Sequence, residues 1–247
     1  MYKNYVFDLY GTLVDINTDE DCEVLWEKLS LFYKFKGADY SPLSLKEAYK
    51  EKVKKAQSAI TDTKYPDIVL EEVFNDLFED KNVYVSKDTL YDTAHLFRVL
   101  SIKYIKLYDG VIELLELLKK KGKKVYLLSN AQRIFTLYEM KMLGIEKFFD
   151  DILFSSDFKV CKPDILFYNQ LLEKLNLDKH DTNMIGNDYI ADIEGAYNFG
   201  IHSLYIDSNL SPEINSKLKS TYSIMDKDGT VNKIASFIVK KWPKAQN

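Results

Sequence analysis

Tyr5-Val6-Phe7-Asp8-Leu9-Tyr10-Gly11-Thr12 decides how this chain is read. An apolar run that stops on a carboxylate and turns at once through a glycine describes a buried strand. It presents the carboxylate at its carboxyl end, where open α/β sheets bind their ligands. Asp8 is therefore the candidate nucleophile. With a reference pKa of about 3.9 it is ionised at neutral pH and needs no base to activate it, only electrophilic help from its surroundings.

Three further constellations follow in order. Ser129 and Asn130 close a second apolar run, Val125-Tyr126-Leu127-Leu128. Lys162, with Pro163 and Asp164 behind it, opens a helical pattern through Ile165, Leu166, Tyr168, Leu171, Leu172 and Leu175. Gly186, Asn187 and Asp188 close a third stretch that begins at Asn183, and Asp192 comes four residues after Asp188. Phe7-Asp8-Leu9-Tyr10-Gly11-Thr12-Leu13 resembles the opening motif of the haloacid dehalogenase (HAD) superfamily, hydrolases built on an aspartate nucleophile. The other three constellations stand where that family's later motifs stand. A D-x-x-G-T run or a Lys-Pro pair alone arises by chance; four in the right order, mostly at strand ends, carry the resemblance over nearly the whole chain.

From Asp15 to about Lys106 the pattern is helical throughout. Val24, Leu25, Leu29, Phe32 and Phe35 form one stripe, and Ala48, Tyr49, Val53, Ala56 and Ile60 another behind a Ser44/Glu47 capping box. Val69, Val73, Phe74, Leu77 and Phe78 follow, then Leu90, Ala94, Phe97, Ser101 and Tyr104. Beyond them helices alternate with short apolar strands at Val125, Ile152 to Phe154, Asn183 to Ile185 and Ser203 to Ile206. That alternation implies right-handed βαβ units and a parallel sheet. The expected fold class is α/β: a doubly wound parallel sheet built from residues 1–15 and 107–247, with an α-helical domain inserted at residues 16–106. The resemblance makes the insert a cap closing over the site; the plainer reading is a helical layer on the sheet. Asp226-Lys227-Asp228-Gly229-Thr230 spells the opening motif more literally than Asp8 does. Ser220-Thr221-Tyr222-Ser223 before it makes a poor buried strand, however, and too little chain follows, so it reads as a turn into a final helix through Val231, Ile234, Ala235 and Ile238.

At 247 residues, 46% of them apolar and 29% charged, the chain can bury a sizeable core in one large domain or two modest ones. A net charge of −4 offers no global attraction to nucleic acid or to an anionic membrane, and no protein partner is signalled. Cys22 and Cys161 are too few for a disulfide framework, which makes a cytoplasmic setting the expectation. No leader pattern and no run of eighteen apolar residues is present. His95, His180 and His202 are scattered without ligand spacing.

If the substrate is a phosphate monoester, Asp8 is an anion attacking a dianion, and cations must cancel the repulsion. Lys162 is placed to neutralise the transferring group, and a divalent metal on Asp8 and Asp188 to bridge carboxylate and phosphoryl oxygen. Mg²⁺ suits such an oxygen-only site. The resemblance adds the backbone carbonyl of Tyr10 as a further metal ligand. Thr12, Ser129 and Asn130 would hydrogen-bond phosphoryl oxygens, and Asp192 would orient Lys162 or support the metal ligands. Asn187 stands as the alternative to Asp188. Each has a structural reading too: Ser129 and Asn130 as helix caps, Lys162 as a solvated charge, Asp188 and Asp192 as acids at a helix N-terminus.

Tyr10 complicates this. Family phosphatases usually carry a second Asp there, a general acid and base, whereas a phenol of pKa about 10 is a poor base. The dehalogenase branch has a tyrosine at that place, since halide leaves as a stable anion and needs no proton; Tyr168 also resembles that branch. Against it stand Asp188, which the metal-independent branch lacks, and the arginines, which are only Arg98 and Arg133, neither early in the insert. The expectation is a Mg²⁺-dependent phosphatase acting on a small phosphorylated metabolite, with Asp8, Tyr10 and Lys162 as its catalytic residues. The alternatives are a metal-independent 2-haloacid dehalogenase and a ligand-binding member without turnover.

Overall fold

The computed structural model describes residues 2–225 and Ile234. Its first strand, β1 (Asn4–Phe7), is buried on both faces, as a strand without a polar side must be, and it sits in the middle of a sheet. The next, β2 (Val14–Thr18), leaves that sheet and pairs antiparallel with β3 (Ile102–Leu107), Val14 opposite Leu107 and Thr18 opposite Ile102. Between these two strands lie α1 (Glu23–Phe35), α2 (Pro42–Ala59), α3 (Leu70–Glu79) and α4 (Lys87–Ser101). The four helices share a core of Leu25, Trp26, Leu29, Tyr33, Leu45, Tyr49, Phe74, Phe78 and Phe97, with the Tyr33 and Phe78 rings stacked 4.1 Å apart.

The rest of the chain alternates as expected: α5 (Val111–Lys120), β4 (Lys124–Ser129), α6 (Arg133–Met142), β5 (Asp151–Phe154), α7 (Ser155–Phe158), α8 (Ile165–Leu175), β6 (Thr182–Gly186), a π-helical turn at Tyr189–Glu194, α9 (Gly195–Phe199), β7 (His202–Ile206) and β8 (Tyr222–Ile224). Among the described residues the main sheet has six strands, all parallel, in the order β5-β4-β1-β6-β7-β8. The period of two in β1 divides the core between the faces. Tyr5 and Phe7 join Leu114, Leu118, Leu127 and Met140 on one side, and Val6 joins Leu128, Phe167, Leu171 and Met184 on the other. The chain runs outward from β1 through β4 and β5, then returns to β6 on the opposite flank. The strand order therefore reverses at β1, and a crevice opens at its carboxyl end.

Four local expectations are corrected. Residues 102–107 are not the end of a helix: α4 stops at Ser101, and the β-branched Ile102 and Ile105 pair with Thr18 and Ile16 in a ribbon that leads into and out of the helical insert. The buried stripe of α1 is Leu25, Trp26, Leu29 and Tyr33, while Phe35 is 86% exposed. The cap of α2 is Ser41, whose hydroxyl accepts from the Ser44 amide, so Ser44 lies inside the helix. Tyr222–Ile224, judged too polar for a buried strand, is strand β8, paired parallel with β7 and outermost among the described residues, with Ser223 exposed. The turn expected at 226–230 and the helix after it lie outside the described residues. No helix among the described residues is long and apolar enough to cross a membrane.

Candidate active site

Asp8 follows β1 directly, and its amide donates to the Ile185 carbonyl of β6 at 2.9 Å, so the sheet's own ladder fixes it at the switch point. Its carboxylate meets Lys162, which the loop before α8 brings in: Nζ donates to Asp8 Oδ1 at 2.7 Å and to Asp192 Oδ1 at 2.6 Å. All three side chains are buried. Burial works against the Lys162 ammonium, but Asp192 and Asp8 more than offset it, holding its pKa above the ordinary lysine value. Burial lifts the Asp192 carboxyl above the usual carboxylate range, with Lys162 pulling it back. A buried ammonium between two carboxylates is unlike the solvated surface charge that a lysine before a proline otherwise suggests.

The turn after β1 is shaped by contact. Gly11 has φ +82°, and a Cβ there would lie 2.3 Å from Asn187 Nδ2. That close approach lets the Thr12 hydroxyl face both Asp8 Oδ2 (3.4 Å) and Asn187 Oδ1 (3.2 Å). Gly186 serves the other flank, since a Cβ on it would sit 2.2 Å from the Asp192 carboxylate. Asp188 Oδ1 accepts from the Ile190 and Ala191 amides at 2.8 and 2.9 Å, capping the π-helical turn, while the Asp188 amide donates to Asp192 Oδ2 at 2.9 Å. Tyr168, fully buried, donates its hydroxyl to the Ala191 and Asp192 carbonyls and so steadies the same turn.

Ser129, at the end of β4, keeps its hydroxyl buried and without a hydrogen-bond partner among the described residues, so it does not cap α6. Asn130, expected as a donor to substrate, has both ends of its amide engaged. Oδ1 accepts from the Lys162 amide at 2.8 Å and Nδ2 donates to the Lys162 carbonyl at 3.0 Å, so it holds the lysine loop in place.

Tyr10, expected among the catalytic residues, turns its hydroxyl into a different cluster. It donates to Glu139 Oε2 and to Thr136 Oγ1 (3.1 Å), both on α6, and accepts from Arg98 Nη2 (3.2 Å) on α4. Burial, with Glu139 alongside, pushes the phenol's pKa far above its ordinary value, so it neither gives up nor takes a proton readily near neutrality. Sequence reasoning did not couple Tyr10 to Arg98 or Glu139; the partners are distant in the chain and no local pattern marks them.

The helical insert also reaches the loops that carry these groups. Gln132 Nε2 donates to Asp67 Oδ1 (3.0 Å) and to the Ile68 carbonyl (2.9 Å), and its Oε1 accepts from the Leu70 amide (3.1 Å). The Cys161 amide donates to the Tyr65 carbonyl at 2.7 Å. Residues 65–70 thus tie the loop after Ser129 to the loop before Lys162.

Asp8, Ser129, Lys162, Asn187, Asp188 and Asp192 line one cavity of about 180 Å³, together with Tyr10, Asn130, Ala191, Leu210 and Pro212. Among the described residues no three His, Cys, Asp or Glu side chains form a metal-ligand group. The expected set needs only two, Asp8 and Asp188, beside a backbone carbonyl. The charge of the place fits a divalent ion: three carboxylates face one ammonium, and Mg²⁺ keeps most of its waters while taking one or two carboxylates. The Ser129 hydroxyl supplies a donor whose buried, unpaired state is costly until an acceptor arrives.

Pyrimidine 5'-nucleotidase PynA of Streptococcus pneumoniae is 25% identical over 228 residues, 90% of this chain and 91% of that protein. (S)-2-haloacid dehalogenase 4A of Burkholderia cepacia is 26% identical over 214 residues, 84% of each chain. The chain spans about half the length of several other curated phosphatases that it matches. A solved HAD phosphatase from Thermococcus onnurineus shares the fold at TM-score 0.57 and 18% identity, over 94% of this chain and 97% of that one. The family model for haloacid dehalogenase-like hydrolases matches residues 2–200, and the chain belongs to that family.

Proposed function

We propose that the protein is a Mg²⁺-dependent phosphatase that acts on a small phosphorylated metabolite through Asp8. The observation that carries this reading is the shared cavity, in which the Asp8 carboxylate, the Lys162 ammonium 2.7 Å from it, the unpartnered Ser129 hydroxyl and the Asp188 carboxylate face one space. Lys162 draws one Asp8 oxygen and leaves the other to attack phosphorus. The ester P–O bond breaks and the leaving oxygen departs with its electron pair, taking its proton from solvent; water then attacks the phosphorus of the aspartyl phosphate, the P–O bond to Asp8 breaks to restore the carboxylate, and the water's proton leaves with the phosphate or to solvent. Ser129 holds a phosphoryl oxygen, Thr12, expected to do the same, instead steadies Asp8 and Asn187 from beside the cavity, and Asp192 keeps Lys162 aimed. Asp8, Asp188 and the Tyr10 carbonyl would hold Mg²⁺, which when bound would supply positive charge against the repulsion between carboxylate and phosphate.

The names of several relatives support phosphoryl hydrolysis: the nucleotidase, two glyceraldehyde 3-phosphate phosphatases, a phosphatase of phosphorylated carbohydrates and the pyrophosphatases. Dehalogenation rests on Tyr10 and on the relative of that name. It needs a cation free to receive halide, and Arg98, the arginine beside Tyr10, is bound to Glu139 instead. Purified protein hydrolyses p-nitrophenyl phosphate in this reading, EDTA stops it, and Asp8→Asn is inert. Chloride release from 2-chloropropionate without metal, with no phosphatase activity, would overturn it. A ligand-binding role without turnover predicts no Asp8-dependent hydrolysis across a phosphate panel.

A further inference from the structure

The loop that carries Lys162 is clasped by the helical insert on both sides. Ahead of the lysine, residues 65–67 lie antiparallel to residues 159–161. Pro66 bridges Val160, the Asp67 amide donates to the Lys159 carbonyl at 3.1 Å, and the Cys161 amide donates to the Tyr65 carbonyl at 2.7 Å. Behind it, the Thr63 hydroxyl donates to Asp164 Oδ2, while Asp164 Oδ1 accepts from the Leu166 amide at 3.0 Å and so caps α8. Lys162 thus stands between two anchor points, Cys161 and Asp164, both held by one short stretch of the insert.

Asp67 carries the clasp across to the loop after β4. Its Oδ1 accepts from Gln132 Nε2 at 3.0 Å and from the Ile68 amide at 2.8 Å, and its Oδ2 accepts from the Ser155 hydroxyl. Ser155 Oγ in turn accepts from the Ala131 amide at 2.8 Å, two residues beyond Ser129. A carboxylate suits this set, because three donors meet at its two oxygens and it brings no hydrogen of its own; an amide of the same shape would turn its NH2 toward one of them. Burial still pushes the Asp67 pKa above the ordinary carboxylate value, so the charge is kept there at a cost. Asp67 is not among the residues that line the cavity, and whatever it does there it does through its neighbours. Among the described residues no hydrogen bond fixes the Ser129 hydroxyl, so the backbone through Asn130 and Ala131 sets where it lies.

We propose that Asp67 is a positioning residue: through Ser155 and Ala131 it places Ser129, and through the pairing of residues 65–67 it places Lys162, so that a carboxylate of the insert registers the two loops against each other. The proposal rests on the phosphatase reading and adds to it a residue that lies outside the cavity.

The test is steady-state hydrolysis of p-nitrophenyl phosphate by the Mg²⁺-loaded protein, well below the melting temperature of each variant, with melting curves alongside. Asp67→Asn should lower kcat by about tenfold or more and keep KM within about twofold, since misaligned reacting groups cost rate before they cost binding. Ser155→Ala breaks the same relay from the sheet side and should fall likewise, and the double variant should fall little further than the worse single one. Glu72→Gln, which removes only the exposed pair between α3 and Lys159, should keep both constants within about twofold. An unchanged kcat in Asp67→Asn, or a raised KM with kcat intact, overturns the proposal and leaves Asp67 a docking contact of the insert. So does a fall in kcat that Glu72→Gln reproduces, and so do losses that multiply in the double variant. If Asp67→Asn does not fold, the kcat and KM of Ser155→Ala decide alone. Failure of the phosphatase reading shows separately, as no Asp8-dependent release of p-nitrophenol by the unmodified protein, and takes this proposal with it.

Discussion

Arg98 on α4 and Glu139 on α6 form an ion pair across the junction of the helical insert and the sheet layer, with Nε 2.5 Å from Oε1 and both side chains buried. The Arg98 guanidinium also lies 4.6 Å from the Phe135 ring centroid, so the cation is enclosed by aromatic surface as well as by its partner. Removing one member of such a pair strands the other. Arg98→Ala should cost about 3 to 5 kcal/mol in denaturant unfolding, and the double variant Arg98→Met/Glu139→Leu should recover much of it. Equal losses in the single and double variants would show that packing, not charge, holds this junction.

Tyr10 belongs to the same cluster through its hydroxyl and to the cavity through its position next to the turn. Tyr10→Phe should therefore lose stability, by about 1 to 2 kcal/mol, while its turnover of p-nitrophenyl phosphate stays within a few-fold of the unmodified protein. A hundredfold fall in kcat with unchanged melting would instead assign the phenol a part in proton transfer.

The two glycine turns separate strain from collision. Gly122 has φ +66° with nothing within 4 Å of the place a Cβ would occupy, so Gly122→Ala carries backbone strain alone, about 1 kcal/mol, and leaves activity intact. Gly11→Ala adds a clash with the Asn187 amide and should cost about 1 to 3 kcal/mol. It should also depress kcat, because the Thr12 and Asn187 pair that faces Asp8 must move. Melting curves and initial rates on both variants decide the point.

Asp150 gives a pH-dependent contribution remote from the cavity. Partial burial would raise its pKa, but Lys119 (2.7 Å), Lys124 (2.9 Å) and the Val125 amide (2.9 Å) bring it below the ordinary value. A depressed carboxylate stabilises the fold above its unfolded pKa and loses that effect as pH falls through the folded value. Asp150→Asn should be less stable at pH 7 by about 1 kcal/mol or less after solvent screening. The two proteins should converge once the pH drops below about 3.9 and through the depressed folded value. A gap that persists in acid would assign the effect to something other than charge.

The main sheet was legible because its strands are short apolar runs that end on chemistry: Phe7 before Asp8, Leu128 before Ser129, Ile185 before Gly186 and Asn187. Burial on both faces writes itself into composition. The ribbon of β2 and β3 was not legible, since Asp15 and Asn17 break the apolar pattern and the pairing partners are set by the helices between them. β8 escaped for the related reason that an outer strand needs apolar residues on one side only. At the candidate site, side chains carried by loops beside strand ends came together as the family resemblance implied: Lys162 against Asp8, Asp192 against Lys162. What stayed hidden was long-range side-chain traffic: the Tyr10 hydroxyl captured by Glu139 and Arg98, the Asn130 amide taken by the Lys162 backbone, and Leu210 and Pro212 lining the cavity from the loop after β7.

The pairing of Thr18 with Ile102 places the two ends of the helical insert on adjacent rungs of one ladder. The polypeptide thus departs from and rejoins the sheet layer at nearly the same point in space, in the manner of a graft on a hairpin. A short turn would therefore suffice to rejoin the ends if the graft were cut away, and what the excision would forfeit is the Arg98 to Glu139 pair and the Gln132 contacts that the graft now makes.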